Sequence, residues 1–326
     1  MKQGAERLNS LIHPALTEEY ALYTPPIAEF FENIATWIEN RATGGYIFGA
    51  SRLGKTKAIE SWVEELIKER FNGKLPFFKM IYRNHDHITE REFLLELLLA
   101  NHHKFKNAKN RIEIFERLVN YFCVRAKNAG GNQAILMIDE AQNAGESDYK
   151  WLCNIQNEMK ERGYLLTIIF VGSHELTYQH EIFGLSQDAH LVGRFMTRFA
   201  KFRGINSIKE LEFVLNGYDL YTEWPKDSKQ SYTKYFFPRA FDAGFRLADL
   251  APLLWEIYLN FAPLALQNNL EIPMEHIAKT IEYLFRNFSN KDDHLIDFSI
   301  DILKKAVDQT GFCNHMKALS SIMRKK

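Results

Sequence analysis

Long apolar runs are absent from this sequence of 326 residues. The longest, such as residues 165–171, fall well short of the roughly 18 residues that a membrane-spanning helix requires. Residues 1–6 (MKQGAE) include no apolar stretch of the kind that builds a secretory signal peptide. We therefore expect a cytoplasmic protein that does not enter a membrane.

Cysteine is also scarce, with only Cys123, Cys153 and Cys313 in the chain. They lie far apart and form no Cys-x-x-Cys pair, which excludes a fold stapled by a disulfide framework. Buried free thiols in a reducing compartment are the expectation.

A surplus of charge of either sign is missing as well. The 41 lysines and arginines balance the 41 aspartates and glutamates, so the formal net charge is zero. This balance excludes a protein that binds nucleic acid through bulk charge. Any DNA site would have to be a local basic surface, concentrated by assembly of several copies.

Short apolar segments alternate with amphipathic helical segments in the first 205 residues or so. Thr89 to Glu92 have the spacing of a capping box at the start of one of these helices. Such alternation is typical of an α/β fold with a parallel sheet between helices. Beyond residue 205 helical periodicity dominates. The predicted strands are residues 46–48, 77–82, 134–138, 165–171 and 199–205.

A phosphate-binding loop follows the first predicted strand and opens the next helix. The stretch GASRLGKT has the Gly-x-x-x-x-Gly-Lys-Thr pattern, in which glycines let backbone N–H groups surround phosphates. Lys55 would reach the β- and γ-phosphates, and the Thr56 hydroxyl would bind Mg²⁺. The candidate nucleotide-binding residues are Gly49, Ala50, Ser51, Arg52, Leu53, Gly54, Lys55, Thr56 and Lys57.

Two carboxylates, Asp139 and Glu140, end the strand predicted at residues 134–138. Asp139 is the candidate second metal ligand. Glu140 would orient and polarise the attacking water. A hydrolysing enzyme needs such a carboxylate, whereas a simple phosphate binder does not.

Further polar residues follow the later strands. Ser173, after the strand at residues 165–171, is a candidate γ-phosphate sensor, or alternatively a hydroxyl that caps the following segment. Arg198, with Arg194 second, is a candidate arginine finger that reaches the nucleotide of a neighbouring subunit. Either arginine is alternatively an ordinary surface residue. Arg246, in Gly244-Phe245-Arg246, is a candidate phosphate contact from the helical region.

The order of these five features resembles that in the AAA+ ATPases. They are the phosphate loop, the Asp-Glu strand end, the polar residue, the Arg-Phe pairs and the Gly-x-Arg. Within them, GASRLGKTKAIESW, AILMIDEAQN, TIIFVGSHEL and GRFMTRF are most similar to the TniB/TnsC family. That family comprises target-selection ATPases of cut-and-paste transposons, including CRISPR-associated ones. The resemblance covers about residues 20–255. This sequence departs from many AAA+ proteins in having Ser173 where asparagine is usual.

The resemblance implies an AAA+ P-loop NTPase core with a parallel sheet between helices, followed by a helical lid. ATP and Mg²⁺ are the implied cofactors. The implied assembly is a homo-oligomer on double-stranded DNA, a ring or filament of about six or seven subunits per turn. Transposase and a targeting factor are the implied partners, in a bacterial cytoplasm near the nucleoid. The expected division is an N-terminal extension (1–40), the core (41–206), the lid (207–290) and a C-terminal helical extension (291–326).

Family members line their DNA pore with segments that follow the second strand and the Asp-Glu strand. The corresponding candidates here are Lys104, Lys106 and Lys150, since phosphate contacts from lysines suit sequence-independent tracking. A solvated basic helix end is an equal alternative for each.

Two other functions share the phosphate loop. One is a small-molecule phosphotransferase, against which Glu140 and the two Arg-Phe pairs argue. The other is a signalling or defence scaffold that binds ATP but scarcely hydrolyses it. DNA-stimulated turnover would separate the DNA-binding ATPase from both.

Overall fold

The computed structural model describes residues 12–83, 88–103, 110–185, 189–289 and 298–323. Their contacts divide the chain into two compact units. One, the sheet unit, comprises Glu29–Ser51 and Lys55–Phe202. The other, the helical unit, comprises the described residues of Met1–Ala28, Arg52–Gly54 and Arg203–Lys326.

A five-stranded sheet forms the centre of the sheet unit, with strand order β2-β3-β4-β1-β5. All of its pairings are parallel, as the strand–helix alternation predicted. Residues 134–137 and 168–171 are completely buried, because helices cover both faces of a parallel sheet. The strands are β1 (Gly44–Phe48), β2 (Phe77–Ile81), β3 (Gln133–Asp139), β4 (Leu165–Gly172) and β5 (Phe199–Lys201).

The register brings three strand ends to one edge of the sheet. Phe48 at the end of β1 pairs with Gly172 at the end of β4, and Ile138 of β3 pairs with Phe170 of β4. β4 therefore lies between the two strands that carry the phosphate loop and the Asp-Glu pair. Ligands of open parallel sheets bind at such carboxyl ends.

The last strand is shorter than the prediction of residues 199–205. β5 ends at Lys201, which pairs with Phe48, the last residue of β1. Beyond Phe48 the chain turns into the phosphate loop, so later residues have no strand to pair with. Ile205 instead forms an antiparallel bridge with Ile272 in the helical unit.

Helices of the sheet unit pack around this sheet. The predicted capping box is confirmed: the Thr89 hydroxyl accepts a hydrogen bond from the Glu92 N–H, and the Glu92 carboxylate accepts one from the Thr89 N–H. The helices are Pro25–Glu39, Lys55–Ala58, Glu64–Arg70, Glu90–Ala100, Arg111–Asn128, Glu146–Glu161, Glu175–Leu185 and Ala189–Leu191. Ile59–Val63 and Val192–Met196 are π-helical, and Ala141–Asn143 is a 3-10 turn.

The helical unit has its own apolar core, which includes Leu211, Tyr218, Leu254, Phe285 and Leu303. Among the residues described in both units, no helix is long and apolar enough to cross a membrane. The helices of this unit are Pro14–Thr17, Ile208–Asn216, Tyr232–Phe236, Pro238–Asp242, Ala251–Phe261, Leu264–Gln267, Met274–Phe288, Ile300–Gln309 and Phe312–Met323. Gly217–Tyr221 is π-helical, and Leu247–Leu250 is a 3-10 turn.

Candidate nucleotide-binding site

The loop between β1 and the helix that starts at Lys55 has an unusual backbone. The Gly49 N–H donates to the Gly172 carbonyl over 3.1 Å, which joins the start of the loop to the end of β4. Arg52 and Gly54 have φ angles of 67° and 102°, in the left-handed region. Glycine adopts this region without the steric penalty that a side chain brings, which explains Gly54. The loop then leads into the N-terminus of the helix that starts at Lys55, where backbone N–H groups are suited to binding phosphates.

Lys55 reaches back over the loop that precedes it. Its ammonium donates to the carbonyl oxygens of Gly49, at 2.9 Å, and Ala50, at 2.7 Å. Burial lowers the pKa of Lys55, and the negative charges of Asp139 and Glu140 oppose that change. The cation is thus partly desolvated and held by neutral acceptors, an arrangement in which a phosphate would be a stronger partner.

Thr56 and Asp139 meet at the end of β3. The Thr56 hydroxyl donates to Asp139 Oδ2 over 2.7 Å, and the Glu140 N–H donates to Asp139 Oδ1 over 2.9 Å. Asp139 is only 2% exposed. Burial raises the pKa of this carboxyl group, although both hydrogen bonds act in the opposite direction.

These oxygen donors fit Mg²⁺, which is commonly held by one or two carboxylates together with substrate phosphates. In the described part of the chain no group of three or more His, Cys, Asp or Glu side chains is arranged to hold a metal ion without such help. Thr56 and Asp139 are therefore the residues that would hold the cation alongside a nucleotide.

Glu140 follows directly after β3 with a left-handed backbone, φ 55° and ψ 32°. Its Oε2 accepts a hydrogen bond of 2.6 Å from the side-chain amide of Gln142. Gln142 had no assigned role in the sequence, although it belongs to the quoted Asp-Glu-Ala-Gln stretch. The signal in the sequence that could have indicated this contact is a polar residue two positions after the candidate general base.

Ser173 lies at the end of β4, between the two motif strands. Its hydroxyl accepts from the Glu175 N–H over 3.3 Å, which is the capping contact named as the alternative to a sensor. Its own N–H donates to Gln142 Oε1 over 2.9 Å. The sensor role stays a prediction.

The two candidate finger arginines differ in their surroundings. Arg194 Nη1 donates to Asn157 Oδ1 over 2.8 Å, which ties this side chain to the helix Glu146–Glu161. Arg198 is exposed, and its guanidinium has no hydrogen-bond or ion-pair partner among the described residues. The finger role of Arg198 stays a prediction.

Other predicted site residues lie in separate places. Arg52 belongs by its contacts to the helical unit, where its guanidinium pairs with Glu275 at 3.3 Å. Arg246 donates to the carbonyl oxygens of Phe241 and Phe245 of the same unit, and its guanidinium carbon lies 3.6 Å from the centre of the Phe241 ring. The phosphate contact from Arg246 stays a prediction.

The candidate DNA-binding lysines are only partly described. Lys104 and Lys106 lie outside the described residues. Lys150 is exposed on the helix Glu146–Glu161 and forms an ion pair with Glu146 one turn earlier. Lys57 and Ser51 are exposed beside the phosphate loop, whereas Leu53 is buried.

Comparisons with known proteins agree with this geometry. Residues 38–179 match the family model described as an AAA domain. The Aeropyrum pernix ORC2 protein in its ADPNP-ADP complexes is 14% identical, with 91% of this chain and 71% of that chain covered and a TM-score of 0.59. Its ADP form is 13% identical, with 88% and 70% covered and a TM-score of 0.54. The chain has the AAA+ fold.

No curated protein sequence matches the chain. At such low identity the two ORC2 structures establish the AAA+ fold alone.

Proposed function

We propose that this chain is an ATPase that assembles as a homo-oligomer on double-stranded target DNA and recruits transposase to the insertion site. The observation that carries the ATPase part is the meeting of Lys55, Thr56, Asp139 and Glu140 at the carboxyl edge of β1 and β3. A phosphate-binding loop alone would suit many nucleotide binders. A carboxylate beyond the metal ligand supplies the group that activates water.

Each of these residues has a distinct role in hydrolysis. Lys55 exchanges the carbonyls of Gly49 and Ala50 for phosphate oxygens and neutralises charge on them. Thr56 and Asp139 would hold Mg²⁺, which would supply positive charge to the phosphates of the nucleotide. Glu140 accepts a hydrogen bond from the attacking water and orients it. Structures of Aeropyrum pernix ORC2, which shares this fold, hold ADPNP and ADP, which supports an adenine nucleotide as the substrate.

The transposition part of the proposal rests on the resemblance of four sequence stretches to the TniB/TnsC family. A formal net charge of zero requires the DNA contact to be local. The exposed position of Arg198 supports assembly, because an exposed guanidinium can reach the nucleotide of a neighbouring subunit.

A nucleotide-dependent scaffold that binds ATP with little hydrolysis is the second candidate. The contact between the Ser173 hydroxyl and the Glu175 N–H favours it, because this contact is the capping alternative to a γ-phosphate sensor. A weak basal rate that duplex DNA does not raise would identify such a scaffold.

The experiment that tests the proposed function measures ATP hydrolysis with and without duplex DNA, followed by electron microscopy of the same mixtures. We expect DNA to stimulate turnover and to be enclosed by protein in the presence of ATP. Glu140→Gln should keep ATP bound, stop hydrolysis and lengthen the lifetime of the complexes. Unchanged turnover in this variant would remove Glu140 from the mechanism. Turnover without any effect of DNA would overturn the DNA-dependent part.

A further inference from the structure

Gln142 joins the candidate general base to the end of the neighbouring strand. Its Nε2 donates to Glu140 Oε2 over 2.6 Å, and its Oε1 accepts from the Ser173 N–H over 2.9 Å. We call this Glu140–Gln142–Ser173 chain the amide bridge. It lies within the sheet unit and spans the carboxyl ends of β3 and β4.

The orientation of the Gln142 amide is determined by its partners. A backbone N–H only donates, so the amide oxygen must face Ser173. The amide NH₂ group then faces Glu140, which as a carboxylate only accepts. Neither bond survives a flip of the amide, so the donor is always presented to the base.

Gly172 provides the space for this amide. A Cβ placed on Gly172 would lie 2.3 Å from Gln142 Oε1 and 3.2 Å from the Gln142 backbone nitrogen. The φ angle of Gly172 is not in the left-handed region, so the backbone itself does not demand glycine. The atom closest to such a Cβ is the amide oxygen of Gln142, and Leu176 Cδ1, at 3.0 Å, is the next.

We propose that Gln142 is a positioning residue that holds Glu140 in the orientation in which it activates water. This inference rests on the proposed ATPase function and deepens it. The amide ties Oε2 and leaves Oε1 to accept from water. Because the amide NH₂ group of Gln142 cannot accept a proton, it does not compete with the Glu140 carboxylate for the proton of the water.

An untethered glutamate side chain has several rotatable bonds, and holding them in one orientation has an entropic cost. The hydrogen bond from Gln142 holds Glu140 Oε2 in one place before the substrate binds.

The test compares single-turnover ATP hydrolysis and the affinity for a fluorescent ATP analogue in four variants. Gln142→Ala should lower the rate about 10- to 100-fold, with affinity within about threefold of the parent. Gln142→Glu keeps the acceptor for Ser173 but places a second carboxylate against Glu140, so it should lose both rate and thermal stability at neutral pH. Gly172→Ala displaces the amide and should behave like Gln142→Ala. Gly193→Ala is the matched control, because a Cβ there meets nothing within 4 Å.

A double variant shows whether Gln142 acts through Glu140. We expect the hydrolysis rate of the double variant Glu140→Gln/Gln142→Ala to be within about twofold of the rate of Glu140→Gln alone. Once the carboxylate has been replaced, Gln142 has no general base to position. A further loss in the double variant would contradict the inference. So would an unchanged or faster Gln142→Ala enzyme, or a Gly172→Ala enzyme as active as Gly193→Ala.

The outcomes also separate the two proposals. A parent protein without turnover would overturn the ATPase function and the role of Gln142 together. A parent that hydrolyses ATP, loses activity with Glu140→Gln and is unaffected by Gln142→Ala would overturn only the role of Gln142.

Discussion

At the scale of single residues, the phosphate loop and the end of β3 each carry a partly buried charged group. Lys55 is held by two carbonyl oxygens, and Asp139 by a hydroxyl and an N–H. Burial lowers the pKa of Lys55 and raises that of Asp139, so in both cases desolvation disfavours the charged form. A nucleotide with its cation would supply the missing opposite charges.

Replacing Lys55 tests the loop directly. Lys55→Ala should weaken ATP binding by about 1.5–3 kcal/mol, because backbone N–H groups alone leave the triphosphate charge without a cation. That corresponds to roughly a 10- to 150-fold loss in equilibrium binding of labelled ATP. The control is Lys68→Ala, which removes an exposed lysine from the same helical stretch. An affinity within about threefold of the parent would overturn the phosphate-loop assignment.

Asp139 gives a prediction about stability and pH. Because its pKa is raised in the folded state, folding favours the protonated form, and stability is lost as pH rises from the unfolded pKa of about 3.9 through the folded value. Asp139→Asn should therefore raise the melting temperature at pH 7 in the absence of nucleotide. This gain should shrink as pH is lowered toward 4. A melting temperature lower than that of the parent at pH 7 would show that the lost hydrogen bonds outweigh desolvation.

At the scale of secondary-structure elements, a pair of histidines joins two helices of the helical unit. His276 is fully buried, with Nδ1 3.1 Å from the Thr310 hydroxyl and Nε2 2.8 Å from Nδ1 of His315. The Thr310 hydroxyl donates its proton to the Val307 carbonyl, so His276 donates from Nδ1 and accepts at Nε2. Protonation of Nε2 would place a proton against the Nδ1–H of His315, which would have to move its own proton to Nε2 to keep the contact.

This arrangement makes the helical unit sensitive to acid. Burial lowers the pKa of His276 from 6.5 to about 4, so its contribution to stability is complete above pH 6.5 and is lost as pH falls to about 4. The full effect is about 3 kcal/mol. Denaturant unfolding between pH 7 and 4 should therefore show a flatter pH dependence for His276→Gln. His190→Gln, at an exposed position, should keep the dependence of the parent.

At the scale of the whole molecule, the proposed function requires several copies on DNA. Binding should need ATP, show little sequence preference and fall steeply with salt. Counterion release predicts a log–log slope of about −0.9 per phosphate neutralised. Replacing both Lys104 and Lys150 with alanine should flatten that slope without changing ATP affinity, whereas Lys68→Ala should leave it unchanged. An unchanged slope in the double variant would remove both residues from the DNA interface.

Assembly also predicts complementation between two inactive variants. Arg198→Ala protein should bind ATP but hydrolyse it poorly, because the finger acts on the nucleotide of the next subunit. Lys55→Ala protein keeps its finger but cannot use its own nucleotide. Mixing them should restore part of the hydrolysis once crosslinking has confirmed mixed oligomers. Co-assembled variants without any gain would exclude Arg198 as a trans-acting finger and direct the test to Arg194.

The sequence by itself determined the sheet, the phosphate loop and the Asp-Glu strand end, because these depend on local patterns. Apolar runs of strand length, a glycine needed for a left-handed turn and a capping box are all specified by neighbouring residues. The complete strand order β2-β3-β4-β1-β5 came only with the tertiary structure, because strand pairing joins residues that are far apart in sequence.

Only the tertiary structure decided which side chains are engaged by residues distant in sequence. It tied Arg194 to Asn157 and left Arg198 exposed, although both stand in similar Arg-Phe pairs. It ended β5 at Lys201, because the available partner strand ends at Phe48. It also placed Gln142 between Glu140 and Ser173, since strands far apart in sequence end side by side only after the sheet has formed.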